Sequence, residues 1–326
     1  MAQTGLSEFE RVARFLAPLA APGALGLVDD VALIDGPTGE QYVLKTDAIV
    51  EGVDFLPGTA PDQVAQKLLR VNLSDLAAKG AVPLGYLLVT ALPRSLGDDW
   101  LEGFAAGLAK DQATYDIGLL GGDSTAIDGP ITLSVAAIGR IAVGRAVLRS
   151  GARPGNRLYV SGTLGDAALG LALLQDKLEL ADAVKREFLI DRYHLPQPRL
   201  ALGQLLVGTA QAMLDVSDGL VADLGHLCAA SGVAAVIEAA LVPVSAAAAA
   251  AVTEDGRWLQ AVLGGGDDYE LLFTAPAGAE AAVAALAAEA RVPVTAIGRI
   301  DAGQGVTVLD RAGAPMTIAV PGYRHF

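Results

Sequence analysis

Residues 61–80 read PDQVAQKLLRVNLSDLAAKG, and the rest of the chain is organised around this stretch. Val64, Leu68, Val71 and Leu76 recur on one helical face. Pro61 suits a first helical turn and Gly80 a helix stop, so the spacing predicts a helix over 61–79. Asp75 falls near its C-terminal end, where the helix dipole disfavours a negative charge. Its neighbours Leu73, Leu76, Ala77 and Ala78 are apolar, and Asn72 lies a turn back. A bound metal would offset the cost of that carboxylate, and a solvated surface position would explain it equally well.

Strand signals flank the helix. Segments 31–34 and 41–46 read as a hairpin around Gly36-Pro37-Thr38-Gly39, and 84–92 is an apolar strand. Trp100, Phe104 and Leu108 share a second helical face. Segment 117–120 reads as a short buried strand running into Gly121-Gly122, and 131–139 completes the set. Turn residues then cluster at Ser150-Gly151-Ala152-Arg153-Pro154-Gly155, which places a boundary there and gives domains of 1–150 and 151–326. The second half repeats the vocabulary with strands at 157–160, 213–216, 269–274 and 292–297 and a helix at 167–174. Ser217 is placed as the N-cap of a following helix, and Ser245 as the cap of the alanine run 246–251. Irregular alternation of this kind predicts an α/β or α+β fold. The pentapeptide AIGRI occurs at 137–141 and again at 296–300, a hint that the halves are related.

Composition removes several functions. The 326 residues carry 23 basic and 37 acidic side chains, a net charge of −14, which opposes binding to nucleic acid or to anionic membranes. One cysteine, Cys228, excludes an internal disulfide and a cysteine-based zinc site, and three histidines (His194, His226, His325) cannot make a His-rich centre. Ser7-Glu8-Phe9-Glu10-Arg11 is acidic where a secretion signal is basic, and the uncharged stretch 200–214 is too short and polar to span a bilayer. A cytoplasmic protein is the expectation. There is no G-x-x-x-x-G-K-[ST] loop, no G-x-G-x-x-G after a strand and no G-x-S-x-G elbow.

What remains is a series of aspartates beside small residues at element ends: Asp29-Asp30, Asp47, Asp75, Gly121-Gly122-Asp123, Asp215-Val216-Ser217-Asp218-Gly219 and Gly264-Gly265-Gly266-Asp267-Asp268. A hairpin turning near Thr38 places Asp30 opposite Thr46 and Asp29 opposite Asp47. Carboxylates about 4 Å apart repel by roughly 1–4 kcal/mol, so a cation belongs between them. Oxygen-only ligands select Mg²⁺ or Ca²⁺. Each feature also has a plainer reading. Gly-Gly-Asp and Asp-Gly are turn signals, Ser217-Asp218 suits a helix start, and Lys45 and Arg149 suit a solvated surface. Gly162-Thr163-Leu164-Gly165-Asp166 suits a tight strand-to-helix turn as well as a phosphate cradle.

In order, these motifs resemble the thiamine-monophosphate kinase family, part of the superfamily that includes aminoimidazole ribonucleotide synthetase and selenophosphate synthetase. The resemblance is carried by Ser7-Glu8-Phe9, Asp29-Asp30, Thr46-Asp47, Glu51-Gly52-Val53-Asp54-Phe55, the 71–78 helix and Gly121-Gly122-Asp123. It continues through Arg149-Ser150-Gly151-Ala152, Asp215–Leu220, Gly265–Leu271 and Gly322-Tyr323-Arg324-His325-Phe326, essentially the whole chain. It implies an α+β N-terminal domain, an α/β C-terminal domain, a homodimer built through the N-terminal sheets, and ATP bound between the domains. The implied reaction moves the γ-phosphoryl group of ATP to thiamine monophosphate. By motif matching, Asp30, Thr46, Asp47, Asp75, Asp123, Asp215 and Asp218 would hold several Mg²⁺ ions. Gly122, Asp123, Arg149 and Ser217 would contact ATP, and Asp54, Asp267 and Tyr323 would face thiamine monophosphate. Many carboxylates and few lysines imply that metal ions, rather than side chains, neutralise the phosphates. Departures are Val28 where a glycine is usual, Lys45 where a small hydroxyl residue is common, Asp54 for a frequent histidine and Asp267 for a frequent glutamate. The competing readings are a sister ATP-dependent synthetase and a non-catalytic nucleotide or cation sensor.

Overall fold

The computed structural model describes residues 8–323. Ser7 and Arg324-His325-Phe326, which belong to the resemblance, lie outside the described residues. Helix α1 (Glu8–Arg11) and short helical turns lead into the hairpin of β1 (Ala32–Asp35) and β2 (Glu40–Val50). Ala32 pairs with Leu44 and Asp35 with Gln41, the register expected for a turn near Thr38. Helix α2 (Pro61–Ala78), β3 (Val82–Pro93), α3 (Asp98–Tyr115), β4 (Gly118–Ile127) and β5 (Thr132–Ala142) follow. The five strands lie in the order β1-β2-β5-β3-β4, with only β3 and β4 parallel.

Helix α2 packs on α3 and across β2 and β5, and Leu68, Leu69, Leu73, Leu76, Tyr86, Leu133 and Val135 form the core beneath it. Strand alternation sends the other side chains outward, where Val82, Leu84, Leu87, Val89, Leu119 and Leu120 are exposed. Segment 117–120 is therefore not the short buried strand its hydrophobicity suggested. It opens a ten-residue edge strand, β4, whose residues from Gly118 to Ala126 are all exposed.

The second half comprises β6 (Arg157–Ser161), α4 (Asp166–Leu174), α5 (Ala183–His194), α6 (Leu200–Leu206), β7 (Ala212–Asp215), α7 (Leu220–Ser231), β8 (Ala234–Glu238), α8 (Ala246–Glu254), α9 (Leu259–Gly264), β9 (Leu271–Ala275), α10 (Glu280–Ala290), β10 (Val294–Asp301), β11 (Gly305–Leu309) and β12 (Pro315–Met316). Its seven strands run β12-β11-β8-β10-β6-β9-β7. The molecule is thus a two-domain mixed α/β protein, as expected. The two AIGRI copies lie in the internal strands β5 and β10, and each sits at a register shift. Ser245 caps α8 as expected, accepting from the Ala248 N–H at 3.0 Å.

Helix α2 also joins the halves. Ala77 and Ala78 pack with Leu202, Leu206, Met213 and Phe273 of the second half. A Cβ on Gly203 would lie 2.0 Å from the Ala77 carbonyl oxygen, so only glycine allows α6 to approach this closely. Burial from both sides explains why every α2 residue from Val64 to Ala78 is buried. Asp75 is inside the protein, which removes the solvated-surface reading.

Candidate active site

Asp30 precedes β1, Asp47 lies on β2, Asp75 near the end of α2 and Asp215 at the end of β7. The fold brings carboxylate oxygens of Asp30, Asp75 and Asp215 within 4.8 Å of one another. These residues border a cleft of about 350 Å³ between the two halves, lined also by Lys45, Asp47, Asp54, Lys67, Arg149, Ser217, Asp218, Asp267 and Tyr323. Nine sequence-derived candidates, Asp30, Asp47, Asp54, Asp75, Arg149, Asp215, Ser217, Asp218 and Asp267, therefore line one cleft, with Tyr323 at its rim.

Three side-chain cations, Lys45, Lys79 and Arg149, are paired with the carboxylates of the cleft. Lys79, fully buried, places Nζ 2.8 Å from Asp29 and 2.7 Å from Asp30. Arg149 donates to Asp30 through its guanidinium and to Asp29 through its backbone N–H at 2.8 Å. Lys45 Nζ lies 3.2 Å from Asp47 and 3.0 Å from Asp75. Neither Lys45 nor Arg149 is a surface charge.

Electrostatics follow from this placement. Burial works against the Asp30 carboxylate, but Lys79, Arg149 and Lys45 outweigh it and hold its pKa well below the usual range. Burial raises Asp75 above the usual range; the Lys45 charge opposes that shift, while Asp215, Asp47 and Asp30 add to it. Burial and then the Asp30 charge push Asp215 up to about 6. Burial disfavours the Lys45 ammonium, yet Asp75, Asp47 and Asp30 keep it protonated above its ordinary value. Buried, oxygen-only and short of positive charge, this donor set fits a hard divalent cation such as Mg²⁺.

The Ser217–Gly219 turn differs in detail from expectation. Ser217 does not cap a helix. Helix α7 begins at Leu220 with Gly219 in the cap position, and the N–H groups of Ser217, Asp218 and Gly219 all donate to Asp223 Oδ2 at 3.0 Å. A buried carboxylate thus sets the turn that carries Ser217 and Asp218. Burial, then Asp218 and Asp215, push the Asp223 pKa up, while the Gly219 N–H pulls it down. The Nε of Arg149 is buried without an acceptor among the described residues.

At the other end, Gly266, Asp267 and Tyr269 adopt left-handed φ values of 72, 66 and 53°. A Cβ at Gly266 would lie 2.4 Å from the Ser217 carbonyl oxygen. The Asp267 N–H donates to that oxygen at 2.7 Å, and its carboxylate meets Lys67 Nζ at 2.6 Å. Lys67 also sits 4.0 Å over the Tyr193 ring. Asp54 Oδ2 accepts from the Val50 N–H at 2.8 Å, and the Tyr323 N–H donates to the Asp218 carbonyl at 2.9 Å. The Gly162–Asp166 turn is occupied by the protein itself: the Gly165 N–H donates to Asp268 and the Thr163 hydroxyl to Asp166.

Three candidates are not in the cleft. Thr46 points to the opposite face of β2 from Lys45 and Asp47, where its hydroxyl donates to the Val135 carbonyl at 3.0 Å. Gly122 and Asp123 lie on the edge strand β4. Asp47 pairs with Val135, Val135 with Leu88, and Leu88 with Gly122, so Asp123 is about three strand spacings, ~14 Å, across the sheet from Asp47. By register Asp123 shares the outward face with Val89.

The N-terminal domain model of the AIR synthase related proteins matches residues 28–141, and the C-terminal domain model matches residues 153–311. The thiamine-monophosphate kinase of Escherichia coli is 41% identical over 322 residues, 98% of each chain. That of Bacillus subtilis is 30% identical over 306 residues, 93% of each. The solved structure of AaThiL complexed with AMPPCP and TMP superposes with a TM-score of 0.86 at 32% identity, over 100% of this chain and 99% of that one. The thiamine-monophosphate kinase of Stenotrophomonas maltophilia gives a TM-score of 0.78 at 42% identity over 90% and 93% of the two chains.

Proposed function

The chain belongs to the thiamine-monophosphate kinase family of AIR synthase related proteins, and from that membership and its carboxylate-lined cleft we propose that it transfers the γ-phosphoryl group of ATP to thiamine monophosphate, giving thiamine diphosphate and ADP. The observation that carries the reading is the convergence of Asp30, Asp75 and Asp215 in a cleft that Arg149 also lines. That AaThiL holds AMPPCP and TMP at full-length similarity supports both ligands here.

The chemistry asks little of a base. A phosphate monoester has a second pKa near ~6, so the attacking oxygen is largely ionised at neutral pH. Among the described residues no histidine lines the cleft, consistent with that. The difficulty is to bring two anions together in line, so positioning and charge neutralisation dominate. Arg149 and the Ser217–Gly219 turn fix the nucleotide phosphates, and the turn is held by Asp223. Asp54, Asp267 and Tyr323 face the acceptor, with Lys67 holding Asp267 in its left-handed loop. Asp30, Asp75 and Asp215, with Asp47 and Asp218 as further oxygen donors, would hold Mg²⁺, which when bound would supply the remaining positive charge beside the phosphates.

Gly122 and Asp123 join this site through a homodimer, and Thr46 lies on the sheet face, shared by register with Leu87, that the second copy would cover. The exposed apolar face formed by Val82, Leu84, Leu87, Val89, Leu119 and Leu120 supports burial against a second copy, which would carry its β4 to the cleft. Residues 1–150 and 151–326 are read as the two domains, and the protein as cytoplasmic, with neither nucleic acid nor membrane as a partner. Among the described residues no helix is long and apolar enough to cross a membrane. The test is turnover: purified protein with ATP, thiamine monophosphate and Mg²⁺, products resolved by chromatography, with an EDTA control. Metal-dependent thiamine diphosphate in step with ADP is expected. ATP bound by folded protein without product would support the sensor or the sister synthetase instead.

A further inference from the structure

Lys45 is the only ammonium among the described residues that bridges Asp47 and Asp75, and its side chain is 14% exposed. Its Nζ stands where a cation joining those two carboxylates would stand. A divalent ion held there needs oxygens at about 2.1 Å, so the ammonium and the ion cannot share the place. The formal charges of the network point the same way. Asp29 and Asp30 are matched by Lys79 and Arg149, while among the described residues Asp47 and Asp75 pair with Lys45 alone and Asp215 forms no ion pair. Two negative charges remain in excess, the complement of a single divalent cation. Without Lys45 there would be three, and the Asp47–Asp75 pair would be left bare.

We propose that the Lys45 ammonium replaces a divalent cation between Asp47 and Asp75, so that the nucleotide-free cluster of this chain binds one ion fewer than it would with a neutral residue at position 45. Lys45 is then a built-in, permanently bound positive charge on the wall of the phosphoryl-transfer cleft. The inference rests on the reading of this cleft as a divalent-cation site, and its test separates the two.

The experiment is equilibrium dialysis of the full chain against Mn²⁺ without nucleotide, with free Mn²⁺ read by electron paramagnetic resonance, for the unsubstituted protein, Lys45→Ser and Lys45→Arg. The unsubstituted protein and Lys45→Arg are expected to bind the same number of ions, and Lys45→Ser one more per subunit. Equal stoichiometry and affinity for Lys45→Ser and the unsubstituted protein would overturn the role of Lys45. No Mn²⁺ bound by the unsubstituted protein would remove the metal reading itself. Should Lys45→Ser fail to fold free of metal, thermal melts of Lys45→Met decide: destabilisation in EDTA that Mn²⁺ reverses but Na⁺ does not supports the replacement. A melt of Lys45→Met that matches the unsubstituted protein in EDTA contradicts it.

Discussion

Asp75 and Asp123 provide the sharpest test of how the site is assembled. Asp75 is buried in the cleft, whereas Asp123 lies about 14 Å across the sheet from Asp47, on the opposite face from α2. Ligands of one Mg²⁺ approach it to about 2.1 Å, so the two carboxylates of a single chain cannot serve one ion. If both serve one ion, Asp123 comes from the second copy. Asp75→Asn and Asp123→Asn homodimers should then each lose at least ~100-fold in kcat, as removal of a charge-stabilising ligand implies. Mixing them changes the outcome. In a heterodimer of the two, one site carries both lesions and the other carries neither. Random exchange makes half of the dimers mixed, so the mixture should recover about a quarter of unsubstituted activity. Co-refolding at equal concentration, followed by the thiamine diphosphate assay, reads this directly. A mixture that stays at the level of the separate variants would place Asp123 in its own chain's site, and full activity of Asp123→Asn alone would remove it from the reaction.

Other expectations follow from individual contacts. Asp223→Ala leaves the Ser217, Asp218 and Gly219 N–H groups without their acceptor, and KM for ATP should rise at least ~10-fold with the fold intact by circular dichroism. Arg70 Nε and Nη2 meet Asp111 at 2.7 and 2.9 Å in the core, so Asp111→Ala should cost about 3–5 kcal/mol in chemical denaturation, because the buried guanidinium loses the carboxylate of its ion pair. Asp215 ionises at about 6 in the fold, against 3.8 ordinarily, because burial and Asp30 oppose its charge. A raised carboxyl pKa favours the folded state at low pH and loses that contribution as pH rises through about 6. Mg²⁺ compensates the ionised form, so the rise in melting temperature on adding Mg²⁺ should be larger at about pH 7.5 than at about pH 5. Equal increments at both pH values would contradict the placement of Asp215 among the ligands.

The aspartates were legible because they sit beside small residues at strand and helix ends, where close backbone approach leaves room for a ligand. The hairpin register was legible too, because Gly36-Pro37-Thr38-Gly39 fixes where the chain turns. Other features were in the sequence but needed a stricter use of periodicity. Thr46 is adjacent to Asp47, yet strand alternation alone puts the two on opposite faces. Lys67 stands two helical turns before Asp75, and the same face of α2 carries both into the cleft. What sequence patterns do not carry is long-range pairing. Nothing near Lys79 or Arg149 announces that both converge on Asp29 and Asp30 across distant elements. The length and exposure of β4 depend on its edge position, which follows from the strand order rather than from its own hydrophobic run. The same holds for Ser217: its cap-like appearance gives way because Asp223, six residues on, reaches back to take the turn's N–H groups.

In the proposed reaction the cleft would pass a phosphoryl group straight from ATP to the phosphate of thiamine monophosphate, with carboxylate-held cations, Lys45 and Arg149 carrying the charge and no side chain acting as an intermediate carrier. A single-turnover rapid quench with ATP labelled at the γ-phosphorus tests it most directly. Label is expected to move from ATP into the terminal phosphate of thiamine diphosphate with no labelled protein at any time, and EDTA to abolish the transfer. Labelled protein that forms and decays fast enough to lie on the path, or label released as inorganic phosphate while thiamine monophosphate stays unchanged, would contradict it.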